Sequence, residues 1–463
     1  MAWVLMPQEY AYRAEKPRPT DQAGNQTGQE MWKVLSGAAR VDVLVVGAGV
    51  IGLSAAYHIK MAEPNLSILI IDRGAAAGQG DTAKSMAGVR DMFTSDVNRV
   101  LARSTIDFYR HVQSELGFNL NLEMIGYLWL VTEGEFKRFE TLVLGMREQG
   151  VRFRTLERRE LTDLLPELVL DPSSEQSKMM GLEGVYRGVQ GLDCGIVSPE
   201  LVARFYETEL QKLGVEFQFR TNVKSLRLEA KASLGLPGEP YVWQDKVFGG
   251  VQTANGIITA DTIVLAAGAR TPMLLDPIGI DCLVKPKKRQ VFQLRGAALE
   301  QLFNKRGFNE QNTVPFTILP KGGVLLRPMR GEKSFWAVSA DDLGRPFTFE
   351  DEPSAEDAYY TYNIAPILSE YFPCFANLRP VNSWAGLYDI NSLDSTPIID
   401  RINNCILATG MSGSGIMKAD AVGRMVAAIY QGKDEAALYE DRRISTTGLR
   451  LTNRSVGKEE FVI

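Results

Sequence analysis

Residues 41–60 read VDVLVVGAGVIGLSAAYHIK: an apolar run, Val43 to Val46, passes directly into Gly47-Ala48-Gly49-Val50-Ile51-Gly52, and a helical pattern follows. That order is what a G-x-G-x-x-G diphosphate loop requires. The first glycine makes the tight strand-to-helix turn, the second lets a diphosphate approach the backbone, and the third lets the helix pack closely on the strand. The helix N-terminus then offers unpaired N–H groups and a partial positive charge to the anion. A second apolar run, Leu66 to Ile71, ends in Asp72, 20 residues after Gly52. A carboxylate there accepts hydrogen bonds from ribose hydroxyls and repels a 2′-phosphate. Strand, helix, second strand and acid together predict a dinucleotide site rather than an isolated glycine-rich turn.

The chain around this motif has 463 residues, room for two large cores or one domain with an elaborate insertion. Its composition, 45% apolar and 23% charged with a net charge of −5, is that of a globular protein and gives no reason to expect nucleic acid as a partner. Cys194, Cys282, Cys374 and Cys405 lie far apart without a C-x-x-C, so neither a disulfide framework nor a metal site is indicated. No apolar run is long enough to span a membrane, and MAWVLM is too short for a signal segment. A cytoplasmic protein with reduced cysteines is the expectation. The only histidines are His58, on the first helix, and His111, in a helical stretch. Both read as structural, which leaves almost no candidate for an imidazole base.

Further along, RGAAAGQGDTAKSMAGVRDMF, after Asp72, reads as an extended loop held against a ligand. Periodicity predicts helices over 96–116, 133–149 and 198–213, and strands over 126–131 and 215–220. ANGIITADTIVLAAGA carries strand 262–266 into Ala267-Gly268. From about 275 to 370 strand-like segments dominate. Strand 405–408 then enters a third glycine-rich turn, with a helix from about Met417. The nucleotide-type signals thus fall in separated pieces. The predicted fold is α/β: a discontinuous Rossmann-like domain over 41–95, 190–272 and 376–440, with an inserted β-rich α+β substrate domain over 96–189 and 273–375. Residues 1–40 form an N-terminal extension and 441–463 a C-terminal tail.

Taken together, GAGVIG with Asp72, the loop ending AGVR at Arg90, GLDCGIVSPELVARF, ADTIVLAAGA, WAGLYDINSLDSTPIID and ATGMSGSGIMKADAVGR resemble the D-amino acid oxidase-like superfamily of FAD-dependent oxidoreductases, from about residue 41 to 432. That group holds sarcosine and dimethylglycine dehydrogenases, glycine oxidase and dye-linked proline dehydrogenases. Its FAD-dependent oxidoreductase domain-containing subgroup looks closest. The resemblance implies an FAD domain of the glutathione reductase type. Gly47, Gly49, Val50, Ile51 and Gly52 would take the diphosphate, and Asp72, with Arg73 beside it, the adenosine ribose. Val223 would pair its backbone with adenine, and Ala267 and Gly268 would close over the nucleotide. Ser85, Met86 and Ala87 would line the flavin. Gly410, Ser412, Gly413, Ser414, Gly415, Ile416 and Met417 would bind its pyrimidine side, where a helix N-terminus faces the charge that collects on reduction.

Relatives of this type hold a substrate carboxylate with an arginine, whose planar fork gives two parallel charged hydrogen bonds. Arg90 matches that position in the sarcosine-type enzymes, Arg327 and Arg330 match the region that supplies it in others, and Tyr388 matches a residue facing the substrate. The departures are informative. Gly386 stands where sarcosine oxidases attach flavin through cysteine, so FAD is expected to be non-covalent. SFWAVSADD lacks their oxygen-activating lysine, which favours a dehydrogenase. Their carboxylate-binding lysine falls on Met417, with Lys418 one place out of register.

An uncharged amine needs little beyond orientation, because its lone pair assists departure of hydride from the α-carbon. An alcohol usually needs a general base, most often histidine. With two structural histidines, the expectation is an FAD-dependent dehydrogenase of a secondary or N-methylated amino acid such as proline or sarcosine. Its flavin would be reoxidised by a quinone or an electron-transfer protein, which allows peripheral association with the inner face of a membrane. The alternatives are a 2-hydroxy acid or glycerol phosphate dehydrogenase of the same fold, or a flavin-bearing respiratory-complex assembly protein.

Overall fold

A computed structural model describes residues 40–340, 343–452 and 454–459. The expected extension lies outside them except for Arg40, which opens the first strand, Arg40–Val46. Two eight-stranded sheets organise the molecule. The first has at its centre a parallel row in the order Cys405–Thr409, Gly256–Leu265, Arg40–Val46, Ile68–Ile71, Glu216–Gln218. The registers Val46↔Leu265 and Val46↔Ile71 bring the C-terminal ends of three strands level with the glycine loop. Runs such as VLVV, ILII and TIVL are apolar throughout because both faces of a parallel sheet are covered. Ile398–Ile402 adds an antiparallel edge, and the hairpin of Val223–Ala230 and Lys246–Thr253 attaches through Gly256–Leu265.

Helices Val50–Ala62 and Ala419–Tyr430 pack against one another so closely that a Cβ on Gly423 would overlap Ser54. His58 serves this contact, its Nε2 2.7 Å from Asp420 Oδ1. His111 lies 3.0 Å from Glu115 on its own helix turn.

The second sheet runs Pro380–Asn391, Val284–Arg295, Ser334–Ser339, Val324–Met329, Phe316–Ile318, Tyr127–Val131, Arg187–Gly191, Phe153–Leu156. Its core is built on Leu128, Leu130, Phe292, Leu294 and Phe335. Two expected boundaries move. Strand Pro380–Asn391 pairs with Val284–Arg295 from Asn391↔Val284 to Pro380↔Leu294, so backbone hydrogen bonds put it in the second sheet. Helix Asp96–Ser114 goes the other way. Leu101, Ala102, Ile106, Tyr109 and Val112 bury into the core shared with the glycine-loop helix, and Tyr109 Oη donates to Ile416 O at 2.7 Å. Periodicity located that helix but carried no information about which core it faces. Residues 357–371, read as part of a strand-rich stretch, are largely helical. The tail returns to the body: Leu449 is buried in the same core, and Arg454 binds Asp394 through Nε and Nη2 at 2.7 and 3.0 Å.

Candidate cofactor and substrate site

A cavity of about 580 Å³ runs from the glycine loop to the junction of the two sheets. At one end the wall is Gly47, Gly49, Val50 and Ile51. Gly47 has φ +109°, and a Cβ on Gly52 would collide with the Gly47 carbonyl, so the turn and the close helix both require glycine. The helix carries no acid in its first turn, and its Val50 N–H donates to Thr82 Oγ1 at 3.1 Å. Asp72 lines the cavity and uses both carboxylate oxygens on backbone: Ala48 N–H donates at 2.7 Å and Gly74 N–H at 2.6 Å. It therefore locks the glycine loop to the turn after the second strand. Arg73 pairs with Asp351 at 2.7 Å, and Arg270 pairs with the same carboxylate, which draws the segment bearing Phe349 and Pro353 over this end. Val223, Ala267 and Gly268 also line it.

Further in, Ser85, Met86 and Ala87 and the run from Met411 to Lys418 line the cavity. Ala87 and Ser412 hold left-handed backbone, φ +43° and +51°, a strain of about 1 kcal/mol or more apiece that surrounding contacts must offset. Val197 N–H donates to Ala87 O at 3.0 Å, and Asn391 N–H to Ser412 Oγ at 3.0 Å. Gly413 must be glycine because a Cβ would overlap the Tyr388 ring. Gly52, Gly386 and Gly410 are not among the residues that line the cavity. A diphosphate cradle made of backbone, joined without a break to a second backbone loop at the sheet junction, fits an extended flavin dinucleotide.

The inner end is made of side chains. Arg90 is 5% exposed, donates to Met92 O and stacks 4.1 Å from the Phe93 ring centroid. Lys418 is fully buried; its Nζ donates to Ser414 Oγ at 2.6 Å and to Asn98 Oδ1 at 2.7 Å. Burial pushes its ammonium down to about 7, against the pull of Glu459. Tyr127 and Phe316, stacked at 4.3 Å, close the far wall with Leu325 and Tyr388. Asp389, with Met411 N–H donating to it at 3.1 Å, is raised to about 6 by burial.

The other two candidate arginines are elsewhere. Arg327 donates to Met86 O and to Val197 O (3.0 Å) and stacks on Trp336, so it holds the cavity wall from outside. Arg330 lies in a partly exposed turn, 3.5 Å from Glu123. Lys418, one place out of register in sequence, follows Met417 in the 3₁₀ turn Ile416–Lys418, and both residues line the cavity. Glu459 and Asp389 carry no sequence signal of a site, although Asp389 neighbours Tyr388 in WAGLYD. No cysteine or histidine is among the lining residues.

The model of a family described as FAD dependent oxidoreductase matches residues 42–429. FAD-dependent oxidoreductase domain-containing protein 1 of Bos taurus is 26% identical over 430 residues, covering 84% of this chain and 80% of that protein. Sarcosine oxidase subunit beta of Rhodobacter capsulatus is 21% identical over 407 residues, covering 86% and 88% respectively. The crystal structure of L-proline dehydrogenase from P. horikoshii aligns with a TM-score of 0.68 at 21% identity, covering 85% of this chain and 94% of that one. The last likeness establishes the fold.

Proposed function

Because this chain belongs to the FAD dependent oxidoreductase family, with FAD as its cofactor, we propose that it is a dehydrogenase of a secondary or N-methylated amino acid. The observation that carries this reading is the inner end of the cavity, where two buried cations, Arg90 and Lys418, meet an aromatic wall and no histidine. Bound in the cavity, FAD supplies the hydride acceptor. Arg90 would hold the substrate carboxylate through its planar fork, with Lys418 as a second donor. Phe93, Tyr127 and Phe316 exclude water, and a desolvated pocket favours the uncharged amine, whose lone pair assists the loss of hydride. Tyr388, fixed against Gly413, would orient the α-carbon. Gly386 and the cysteine-free lining support a non-covalent cofactor. The acceptor would be a quinone or an electron-transfer protein. Relatives named for sarcosine and proline are consistent with the substrate class.

Dye-reduction assays across proline, sarcosine, lactate and glycerol 3-phosphate test the proposal. Turnover of the amines is expected, and rapid reduction by a hydroxy acid with the amines inert would sink it. One observation favours that second reading: Asp389, a buried carboxyl raised to about 6 on the same cavity, is the kind of base an alcohol needs.

A further inference from the structure

Glu459 lies 30 residues beyond the matched family span, in the C-terminal tail, yet its side chain lines the inner end of the cavity and is 3% exposed. The tail is tied down just upstream by the Arg454–Asp394 pair. Thr94 donates to Glu459 Oε1 through N–H at 2.9 Å and through Oγ1 at 2.7 Å. Ser95 N–H and Asn98 Nδ2 donate to Oε2, each at 3.1 Å. This carboxylate sits at the start of the 19-residue helix Asp96–Ser114, whose N-cap is Ser95 and where the helix dipole favours an anion. Four donors leave it little freedom to be displaced by a ligand.

The Asn98 amide carries the contact onward. Its Nδ2 donates to Glu459, and its Oδ1 accepts from Lys418 Nζ. The amide is thereby fixed in one orientation, and so is the ammonium. Arg90 and Lys418 are neighbouring buried cations that oppose each other's charge, and Glu459 acts on both in the stabilising sense.

We propose that Glu459 is a positioning residue of the substrate site. Through Asn98 it fixes the Lys418 ammonium, and its charge offsets the repulsion between Lys418 and Arg90. The C-terminal tail thus completes the carboxylate-binding end of the cavity. This rests on the reading of that end as a carboxylate site.

The charged groups facing Lys418 are Arg90, Asp389 and Glu459, with Asn98, Ser414 and the Phe93 ring as its other neighbours. Lys418 attracts an anion only while protonated. Carboxylate binding should therefore weaken as pH rises through about 7. Removing Glu459 takes away the anion that keeps the proton on Lys418, so this midpoint should move to lower pH.

The test is calorimetric titration of the holoenzyme with pyrrole-2-carboxylate, a planar carboxylate analogue of proline, between pH 5.5 and 9. Expected for Glu459→Gln is a midpoint lower by about one pH unit, roughly a tenfold change in the Lys418 protonation equilibrium. Glu459→Asp should return it towards the wild-type position. If the Gln variant does not fold, a chain ending at Val456 keeps Arg454 and removes Glu459 together with the six other residues after Val456, and the same shift is expected. A midpoint unchanged in folded protein, even with a lowered Tm, overturns the positioning role alone. Failure of the wild-type enzyme to bind the probe at any pH overturns the carboxylate-site reading and this inference with it.

Discussion

At the glycine-loop end of the cavity the wall is largely backbone, with Gly47, Gly49, Val50, Ile51 and Asp72 joined by Val223, Ala267 and Gly268. At the inner end it is side chain, with Arg90, Lys418 and Glu459 beside the rings of Phe93, Tyr127 and Phe316. The first end works by leaving atoms out. Gly47 turns at φ +109°, and Gly52 brings the helix against the carbonyl of Gly47. The second works by enclosing charge, with Arg90 and Lys418 buried beside Glu459. Backbone sites are specified locally and fail by steric collision. Charge sites are specified by tertiary assembly and fail by a lost partner or a shifted protonation equilibrium.

The steepest failure is expected at the backbone end. Gly52→Val places methyl groups where even a Cβ cannot fit, so helix Val50–Ala62 must move off the first strand. The variant should purify without flavin absorbance, with FAD affinity reduced at least about 100-fold, on the order of 3 kcal/mol. Retention of wild-type flavin content would refute the close-packing role of the third glycine.

Next is Arg327, which acts on the wall from outside. Arg327→Met removes the donors to Met86 O and Val197 O and the guanidinium stacked on Trp336. Each buried carbonyl left unpaired costs about 1–3 kcal/mol, so a loss of about 2–6 kcal/mol from the two is expected in chemical unfolding. The flavin absorption band should shift as Met86 relaxes, while KM for a carboxylate substrate changes less than twofold in the folded fraction. A selective rise in KM would instead make Arg327 the carboxylate ligand.

Arg90→Lys should show the opposite pattern. Lysine keeps the charge and loses the fork, so KM for a carboxylate substrate should rise about 10–100-fold, equivalent to about 1.4–2.8 kcal/mol. Stability should change by less than the Arg327 variant. An unchanged KM would remove Arg90 from the carboxylate role.

The same contrast explains what could be read in the sequence. The glycine spacing is a demand on φ angles and close approaches within a few residues, so six letters sufficed to predict the turn that the structure builds at Gly47 and Gly52, beside a cavity that Asp72 also lines. The pieces of the parallel sheet were legible because two-sided burial forces apolar runs. Domain membership was not: helix Asp96–Ser114 has the periodicity of any amphipathic helix, and only its contacts with Ile416 and the glycine-loop helix say which core it serves. Lys418 stands one place from the family's lysine position in sequence, and only its bonds to Asn98 and Ser414 locate it at the cavity. Glu459 was invisible. It meets Thr94, Ser95 and Asn98 more than 360 residues away, and no local pattern encodes such a contact.

The smallest effect is expected three residues from one of the larger ones. Arg327 and Arg330 share the segment GGVLLRPMR and the same chemistry, and both looked like candidates for a carboxylate. An offset of three along a strand puts side chains on opposite faces, and the strand ends at Met329. Arg327 therefore enters the core at 3% exposure, whereas Arg330 turns out to a partly exposed pairing with Glu123 at 3.5 Å. An ion pair in that setting contributes about 0–1 kcal/mol, because water screens it and two flexible side chains must be held. Arg330→Ala should leave flavin content, KM and kcat within twofold and lower stability by less than about 1 kcal/mol. Steady-state kinetics beside a urea melt would check both. A tenfold rise in KM would mean that this turn closes onto the substrate in turnover, and the inner end would then owe its charge to a loop as well as to the buried cluster.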